Sequence, residues 1–247
     1  MNTAQRAAHG FTQLNEEQPF TFACHPGVTC FTECCRELDL ALTPYDVLRL
    51  KRHMQMYAGQ FLDTYVIIEW EDSQLFPTCY LTMVDDGRAS CVFVAVGGCT
   101  VYGDRPGSCR AYPIGRGAAR GQNGAAQQSL VLVQEPHCRG FEQTATQTVA
   151  AYLHGQGLEE YNRFNDALLP LLQHASIQAG NFRPTRRQLD QYILALYDLD
   201  HFRRDMVEGR IALNRPMNPA QLSGIAGNDE ELLLLGIRWL MQEFYGE

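Results

Sequence analysis

The cysteines are the feature that most limits what this chain can fold into. Its 247 residues include nine cysteines, and two of them, Cys34 and Cys35, are adjacent. Eight of the nine fall into a few groups along the chain: Cys24, Cys30, Cys34, Cys35, Cys91, Cys99, Cys109 and Cys138. Thiolates are the preferred ligands of zinc and of iron–sulfur clusters, so a fold that closes around these groups is expected to hold metal. The ninth, Cys79, lies in an apolar stretch and is interpreted as a buried core residue.

The cellular compartment decides whether clustered cysteines are metal ligands or disulfides. The first twenty residues lack the apolar segment of a secretory signal, so we expect a cytoplasmic protein. No apolar run approaches the ~20 residues of a membrane helix, and no membrane association is expected. Thiols persist in a reducing compartment, and an odd number of cysteines also argues against a disulfide framework. Metal binding is therefore favoured over disulfide formation.

The charge of the chain restricts the partners that it can have. A formal net charge of −8 argues against nucleic-acid binding, because a nucleic-acid binder needs a basic surface that releases counterions. Four arginines do lie close together in sequence: Arg105, Arg110, Arg116 and Arg120. A charged loop of this kind is usually solvated. The charge leaves open an interaction with an unknown protein partner.

The order of the predicted elements indicates an α+β protein. We expect a cysteine-rich metal-binding core of loops and short strands, followed by a mostly helical C-terminal half. The predicted division is a cysteine-cluster metal-binding domain at residues 20–145 and a helical region at residues 146–247 packed against it. Apolar residues recur at helical spacing in the second part, and the last helix is expected to begin at Asn228.

Local signals place several elements within this outline. Thr43-Pro44-Tyr45-Asp46 is typical of a helix start, with a capping hydroxyl, a proline and an early acid. A second helix is predicted at about residues 60–70. Asp85-Asp86-Gly87 predicts a hairpin turn between two short strands. Residues 1–20 are expected to be an irregular lead-in, and the Gly-, Ala- and Arg-rich residues 115–127 a mobile loop.

The adjacent cysteines suggest more than one direction of approach to the metal. In a helix Cys30 and Cys34 would share a face, while Cys35 would point roughly 100° away. In a strand the adjacent pair would face opposite sides. Two neighbouring centres, or one extended cluster reached from two directions, are both consistent with this pattern. Arg105 and Arg110 are candidates for offsetting the negative charge of several thiolates.

Three motifs in this chain resemble those of a known family. They are Cys24-x5-Cys30-x3-Cys34-Cys35-Arg36, Cys99-Thr-Val-Tyr-Gly-Asp-Arg-Pro-Gly-Ser-Cys109-Arg-Ala-Tyr-Pro113, and His137-Cys138-Arg-Gly140. Together they resemble the YkgJ-type cysteine-cluster family, which carries the zinc- or iron-chelating CxxCxxCC domain. The resemblance implies metal binding, and relatives include a flagellin lysine N-methylase thought to use an iron–sulfur centre. The first spacing is wider here than the C-x2-C often found in the family. His25 is therefore a candidate substitute ligand, and His137 a candidate mixed ligand.

The spacing of the cysteines bears on the identity of the metal. Two four-thiolate zinc sites would use all eight clustered cysteines. The chain lacks the paired C-x2-C knuckles typical of zinc, so an iron–sulfur cluster is favoured over zinc or iron ions. Such a centre would serve redox chemistry, metal handling or maturation of a partner.

Two other classes of function are kept open, and whether the chain is an enzyme is left undecided. The first is an S-adenosylmethionine-dependent protein N-methylase. The chain shows neither a Gly-rich strand-to-helix loop nor a C-x3-C-x2-C radical motif, which counts against that class. The second is an interaction module whose structural zinc sites use four cysteines each.

Overall fold

The computed structural model describes residues 10–71, 73–121 and 124–247. The strands are β1 (Gly10–Leu14), β2 (Pro19–Thr21), β3 (Val66–Glu69), β4 (Thr78–Leu81), β5 (Met83–Val84), β6 (Ser90–Cys91), β7 (Val94–Ala95), β8 (Gly98–Cys99), β9 (Ile114–Arg120), β10 (Ala126–Gln134) and β11 (Thr146–Thr148). The helices are α1 (Pro44–His53), α2 (Ala58–Tyr65), α3 (Gly107–Ala111), α4 (Val149–Gly155), α5 (Glu159–Ala167), α6 (Leu169–Leu172), α7 (Ala175–Gln178), α8 (Arg186–Leu196), α9 (Leu199–Val207), α10 (Pro219–Gly227) and α11 (Asp229–Tyr245). The predicted α+β class is confirmed.

The chain divides into two compact units, each made of two segments. The cysteine unit comprises Met1–Leu38 and Met83–Asn162, and the helical unit comprises Asp39–Thr82 and Arg163–Glu247. All eight clustered cysteines belong to the cysteine unit, whereas Cys79 belongs to the helical unit. The division into domains at 20–145 and 146–247 stays a prediction.

The cysteine unit is built on an antiparallel sheet in the order β1-β10-β9. Two sequence expectations were wrong here. Residues 10–14 and 19–21 form strands within the expected irregular lead-in, while residues 1–9 lie outside the described part. The expected mobile loop is largely the β9–β10 hairpin, except that residues 122 and 123 are not described. Gly115 reflects close packing, because a Cβ there would lie 2.9 Å from the Val131 side chain on the facing strand.

A compact apolar core lies on this sheet and on the short β2–β11 pair. Its buried members are Leu14, Phe20, Phe22, Ile114, Leu130, Val149 and Tyr152. Phe22 packs against the rings of Tyr112, Phe141 and Tyr152 at centroid distances of 6.1, 5.2 and 6.0 Å. Cys138 also packs against this cluster. The core thus places a predicted metal ligand against its aromatic residues.

The expected hairpin at residues 85–87 is confirmed by the pairing of β5 with β6, in which Val84 lies opposite Ser90. The next hairpin pairs β7 with β8 and sets Val94 opposite Cys99. Gly98 has a φ of +113°, a conformation that glycine adopts without steric cost. These two short hairpins carry Cys91 and Cys99.

The helical unit confirms the predicted helix starts and corrects one helix. Thr43 caps α1 in a capping box with Asp46, and Asn228 caps α11. The helix expected at residues 60–70 ends at Tyr65, because β-branched residues follow and pair as β3 with β4. Cys79 is fully buried in β4, as its apolar surroundings predicted.

A buried ion-pair network joins three helices of this unit. The ammonium group of Lys51, whose residue is only 5% exposed, lies 3.0 Å from a carboxylate oxygen of Asp200 and 3.0 Å from one of Asp229. Arg203 also pairs with Asp229. Burial alone would raise the pKa of Asp229, but the hydrogen bonds and charges of Arg203 and Lys51 outweigh it and lower this pKa to about 2.

Among the described residues, no helix has both the length and the apolar character required to cross a lipid bilayer.

Candidate metal centre

The pairing of β2 with β11 brings together two cysteines that are far apart in sequence. Beyond the paired strands, the Phe22 N–H donates to the Ala145 carbonyl at 3.0 Å, and the Ala23 N–H donates to the Gly140 carbonyl at 3.1 Å. These hydrogen bonds hold the residue before Cys24 beside the turn that follows Cys138. The backbone thereby places both cysteines at the same end of the cysteine unit.

Gly140 permits this close approach. A Cβ at this position would lie 2.5 Å from the Phe22 ring and 2.9 Å from the Ala23 carbonyl oxygen. Real Cβ atoms essentially never approach another heavy atom so closely. The motif His137-Cys138-Arg139-Gly140 therefore requires glycine at its last position for packing reasons.

Four of the eight predicted ligands line one small cavity, and they are called here the first cysteine group. These residues are Cys24, Cys30, Cys34 and Cys138. The cavity has a free volume of about 10 Å³, and its remaining wall is formed by Phe22, Val28, Tyr112, His137 and Gly140. Such a volume is on the scale of a single water-sized atom. The structure thus gathers four thiols from two separate segments, residues 24–34 and the segment around Cys138, around a common space.

A 3₁₀ turn at Glu33–Cys35 presents the adjacent cysteines. Successive residues of a 3₁₀ helix point roughly 120° apart, so the two thiols leave the backbone in different directions. Cys34 lines the cavity, whereas Cys35 does not. The side chains of the two residues still share a hydrogen bond, which together with burial and charge raises the pKa of Cys34. The expectation that the adjacent pair approaches metal from two directions stays a prediction.

The backbone also supports the first cysteine group. The Arg139 N–H donates to the Cys30 sulfur at 3.1 Å across a separation of 109 residues. Such an N–H···S contact stabilises a thiolate and orients its lone pairs. The segment around Cys138 therefore contributes a hydrogen bond to a second cysteine of the group.

The electrostatics of the group follow from burial and mutual repulsion. Burial, and then the neighbouring charges of Cys34, Cys30 and Cys138, raise the pKa of Cys24 to about 11. Burial is also the largest cause of the raised pKa of Cys138. Thiols bind metal only after losing their protons, so each bound cation must displace protons from these groups.

Two residues of the site were missed by sequence reasoning. Tyr112 lines the cavity, and its hydroxyl oxygen is buried. Its pKa is raised by burial and by the adjacent Cys138 and Glu135. The charge of Glu135 is also among the causes of the raised pKa of Cys34. The signal was present in the sequence, because Tyr112 lies within the Arg-Ala-Tyr-Pro motif and Glu135 begins the segment leading to Cys138.

A second cysteine group consists of Cys91 and Cys99 on the two short hairpins. Burial raises the pKa of both thiols, and the charge of Cys99 raises that of Cys91 further. The charge of Cys34 also raises the pKa of both. Cys34 is therefore within electrostatic reach of the second group as well as a member of the first.

Arg105 supplies positive charge to both groups. It is nearly buried, and its guanidinium donates to the Tyr102 carbonyl at 2.7 Å and to the Gln156 side chain at 2.6 Å. Its charge acts to lower the pKa of Cys24 and of Cys99. The charge-offsetting role expected for Arg105 therefore has structural support.

The second arginine proposed for that role has different contacts. Arg110 donates to the backbone carbonyls of Arg105, Gln156 and Gly103. Its guanidinium also stacks on the Tyr161 ring, at 4.9 Å from the centroid. These contacts tie α3 to the loop before it and to the end of α4.

The remaining candidate ligands differ in whether they line the cavity. His137 lines the cavity, and its Nε2 lies 3.6 Å from a carboxylate oxygen of Glu135. His25 is exposed, its Nδ1 accepts the Gly27 N–H, and it is not part of the cavity wall. Cys109 is exposed on α3 and does not line the cavity either.

The cysteine side chains of the first group are not already arranged to coordinate an ion. In the part of the chain that the structure describes, no group of three or more His, Cys, Asp or Glu is arranged to hold a metal ion as it stands. Closure on an ion would require the thiols to lose their protons and approach one another. Four cysteine thiols that line one cavity fit such a group chemically. The full set of eight cysteine ligands stays a prediction.

Comparison with known proteins gives one match. A family model described as "Putative zinc- or iron-chelating domain" (CxxCxxCC) matches residues 23–139. No curated protein and no solved structure matches the chain. The match begins one residue before Cys24 and ends one residue after Cys138, so it spans the cavity-lining cysteines and both hairpin cysteines. Residues 23–139 of this chain therefore match the CxxCxxCC family of domains, to which chelation of zinc or iron is ascribed.

Proposed function

We propose that the first cysteine group binds iron as part of an iron–sulfur centre, in a protein that works in the reducing cytoplasm. The observation that carries this proposal is the convergence of Cys24, Cys30, Cys34 and Cys138 on one cavity. These residues come from segments separated by more than a hundred positions, and four thiolates are the usual ligand set of such clusters.

The position of Cys34 favours an extended centre over one isolated ion. Its charge acts on Cys24 of the first group and on Cys91 and Cys99 of the second. A single tetrahedral ion needs only four thiolates and would leave the second group without a role. A cluster, or two neighbouring centres, accounts for thiols on both sides of Cys34.

The protein's own residues would hold and tune this centre. The Arg139 N–H would donate to the Cys30 sulfur, and the buried Arg105 would offset part of the thiolate charge. Hydrogen bonds to sulfur and nearby positive charge raise the reduction potential of an iron–sulfur cluster. When bound, such a cluster supplies one-electron chemistry, which suits electron transfer, sensing or maturation of a partner.

The test is the metal and acid-labile sulfide content of protein purified without oxygen, together with its absorption spectrum. We expect iron, sulfide and a broad band near ~400 nm. Cys138→Ser is expected to lose most of the metal, whereas Cys79→Ala, a buried cysteine of the helical unit, should keep it.

Two results would contradict the proposal. Colourless protein with zinc and no sulfide would assign structural four-thiolate sites and an interaction role instead. Equal metal content in Cys138→Ser and Cys79→Ala would show that the cavity is not the binding site.

A further inference from the structure

A second, larger pocket opens on the cysteine unit outside the first cysteine group. It has a volume of about 380 Å³, within the range of sites that hold small organic molecules. Val84, Val94 and Val96 contribute an apolar wall, and Arg36, Asp86 and Ser90 contribute polar groups. This surface is called here the valine pocket.

Arg36 brings a guanidinium group to the wall of the valine pocket. One terminal nitrogen of its guanidinium donates to the Thr32 carbonyl at 2.7 Å. Its Nε–H is buried and has no hydrogen-bond partner among the residues that the structure describes. Buried polar groups are nearly always paired, so an unpaired donor on a residue that lines the pocket requires an explanation. The planar edge of a guanidinium is suited to carboxylate recognition.

Asp86 brings a negative charge to the same pocket. Its Oδ1 accepts the Arg88 N–H at 3.0 Å and the Ser90 N–H at 3.3 Å. Hydrogen bonds from Ser90 and Arg88 lower the pKa of this carboxyl, so it is ionised at neutral pH. Ser90 also pairs with Arg36 in an antiparallel bridge, which keeps the two charged residues in one neighbourhood. Asp86 does not accept a hydrogen bond from the Arg36 Nε–H, which is unpaired within the described part of the chain.

The apolar wall of the valine pocket is exposed to solvent, and a bound apolar group would cover it. Val96 is fully exposed, and Val84 is 44% exposed. Both lie on the tight hairpins that bound the valine pocket. A ligand that covers these side chains gains the free energy of removing apolar surface from water.

We propose that the valine pocket binds a free α-amino acid with an apolar side chain. The carboxylate pairs with Arg36, the ammonium group pairs with Asp86, and the side chain covers the valines. A simple anion would face the charge of Asp86, and a simple cation would face that of Arg36, so a zwitterion suits both. Cys91 also lines this pocket, which places the ligand beside the second cysteine group. Binding of the amino acid does not depend on the proposed metal.

Calorimetric titration of the full chain tests the proposal. L-leucine is expected to bind saturably. Leucinamide, which lacks the carboxylate, and 4-methylpentanoate, which lacks the ammonium group, should each bind at least tenfold more weakly. L-glutamate, with a charged side chain, should also bind at least tenfold more weakly. Absence of leucine binding, or equal binding of 4-methylpentanoate and leucine, would overturn the proposal.

Matched variants locate the site. Asp86→Asn should weaken leucine binding about tenfold, whereas Asp85→Asn, at an exposed neighbour that does not line the pocket, should leave it unchanged. Val96→Asp changes a fully exposed side chain, so it should preserve the fold while abolishing binding. Leucine binding to both Asp86→Asn and Val96→Asp at wild-type strength would refute the assignment.

Discussion

Replacing Gly140 by alanine tests whether the close contact between two backbone segments holds the candidate metal centre together. The new Cβ would lie 2.5 Å from the Phe22 ring, and ordinary contacts begin at 3.4 Å, so the ring would have to retreat by the difference of 0.9 Å. Phe22 is only 2% exposed and is enclosed by three aromatic rings, so it cannot move without disturbing the core. Overpacking of this kind costs about 1–3 kcal/mol.

The same substitution should also weaken metal binding. The hydrogen bond from Ala23 to the Gly140 carbonyl positions Cys24 relative to Cys138, and separation of the two segments would widen the first cysteine group. Loss of a contact that orients ligands typically costs about tenfold or more in metal affinity. We therefore expect both a less stable protein and a weaker metal site.

The measurements are thermal unfolding of the metal-free protein and competition with a chelator of known affinity. For a chain of this size, 1–3 kcal/mol corresponds to a Tm lower by about 2–12 °C. Gly103→Ala is the control, because a Cβ there would have no neighbour within 4 Å. If Gly140→Ala matched Gly103→Ala in both Tm and metal affinity, the packing argument would be wrong.

Three further predictions concern the helical unit. Lys51→Met should destabilise the protein by about 3 kcal/mol, because it leaves the buried Asp229 with one cation fewer, and urea denaturation should show this loss. The carboxyl of Asp229 has a pKa lowered from 3.8 to about 2, so its stabilisation of about 2 kcal/mol is complete above pH ~4 and is lost as the pH falls through about 2. Asp229→Asn should remove that part of the acid sensitivity, and an unchanged acid transition would contradict the assignment. Cys79→Ala should cost about 1–2 kcal/mol through lost packing while leaving the metal content intact, and a loss of metal would contradict its role as a core residue.

The sequence alone identified the features whose physical causes are local. A cap hydroxyl, a proline at the first turn and an acid three residues after the cap determine where α1 begins, and all three lie within Thr43–Asp46. The turn at residues 85–87 is likewise decided by residues adjacent in the chain. The chemistry of clustered thiols, together with the surrounding motifs, was enough to predict a family of zinc- or iron-chelating domains.

Only the tertiary structure decided which cysteines lie together. The convergence of Cys24 with Cys138 depends on the pairing of β2 with β11, on the Ala23–Gly140 hydrogen bond and on the absence of a side chain at position 140. The place of Tyr112 in the cavity wall and of Cys34 between two groups depends on the same long-range contacts. Such contacts stabilise the fold only when distant segments meet. The spacing of residues along either segment therefore does not predict them. For the same reason, the glycines at residues 115–127 suggested mobility, although Gly115 and Gly117 accommodate the close approach of β9 and β10.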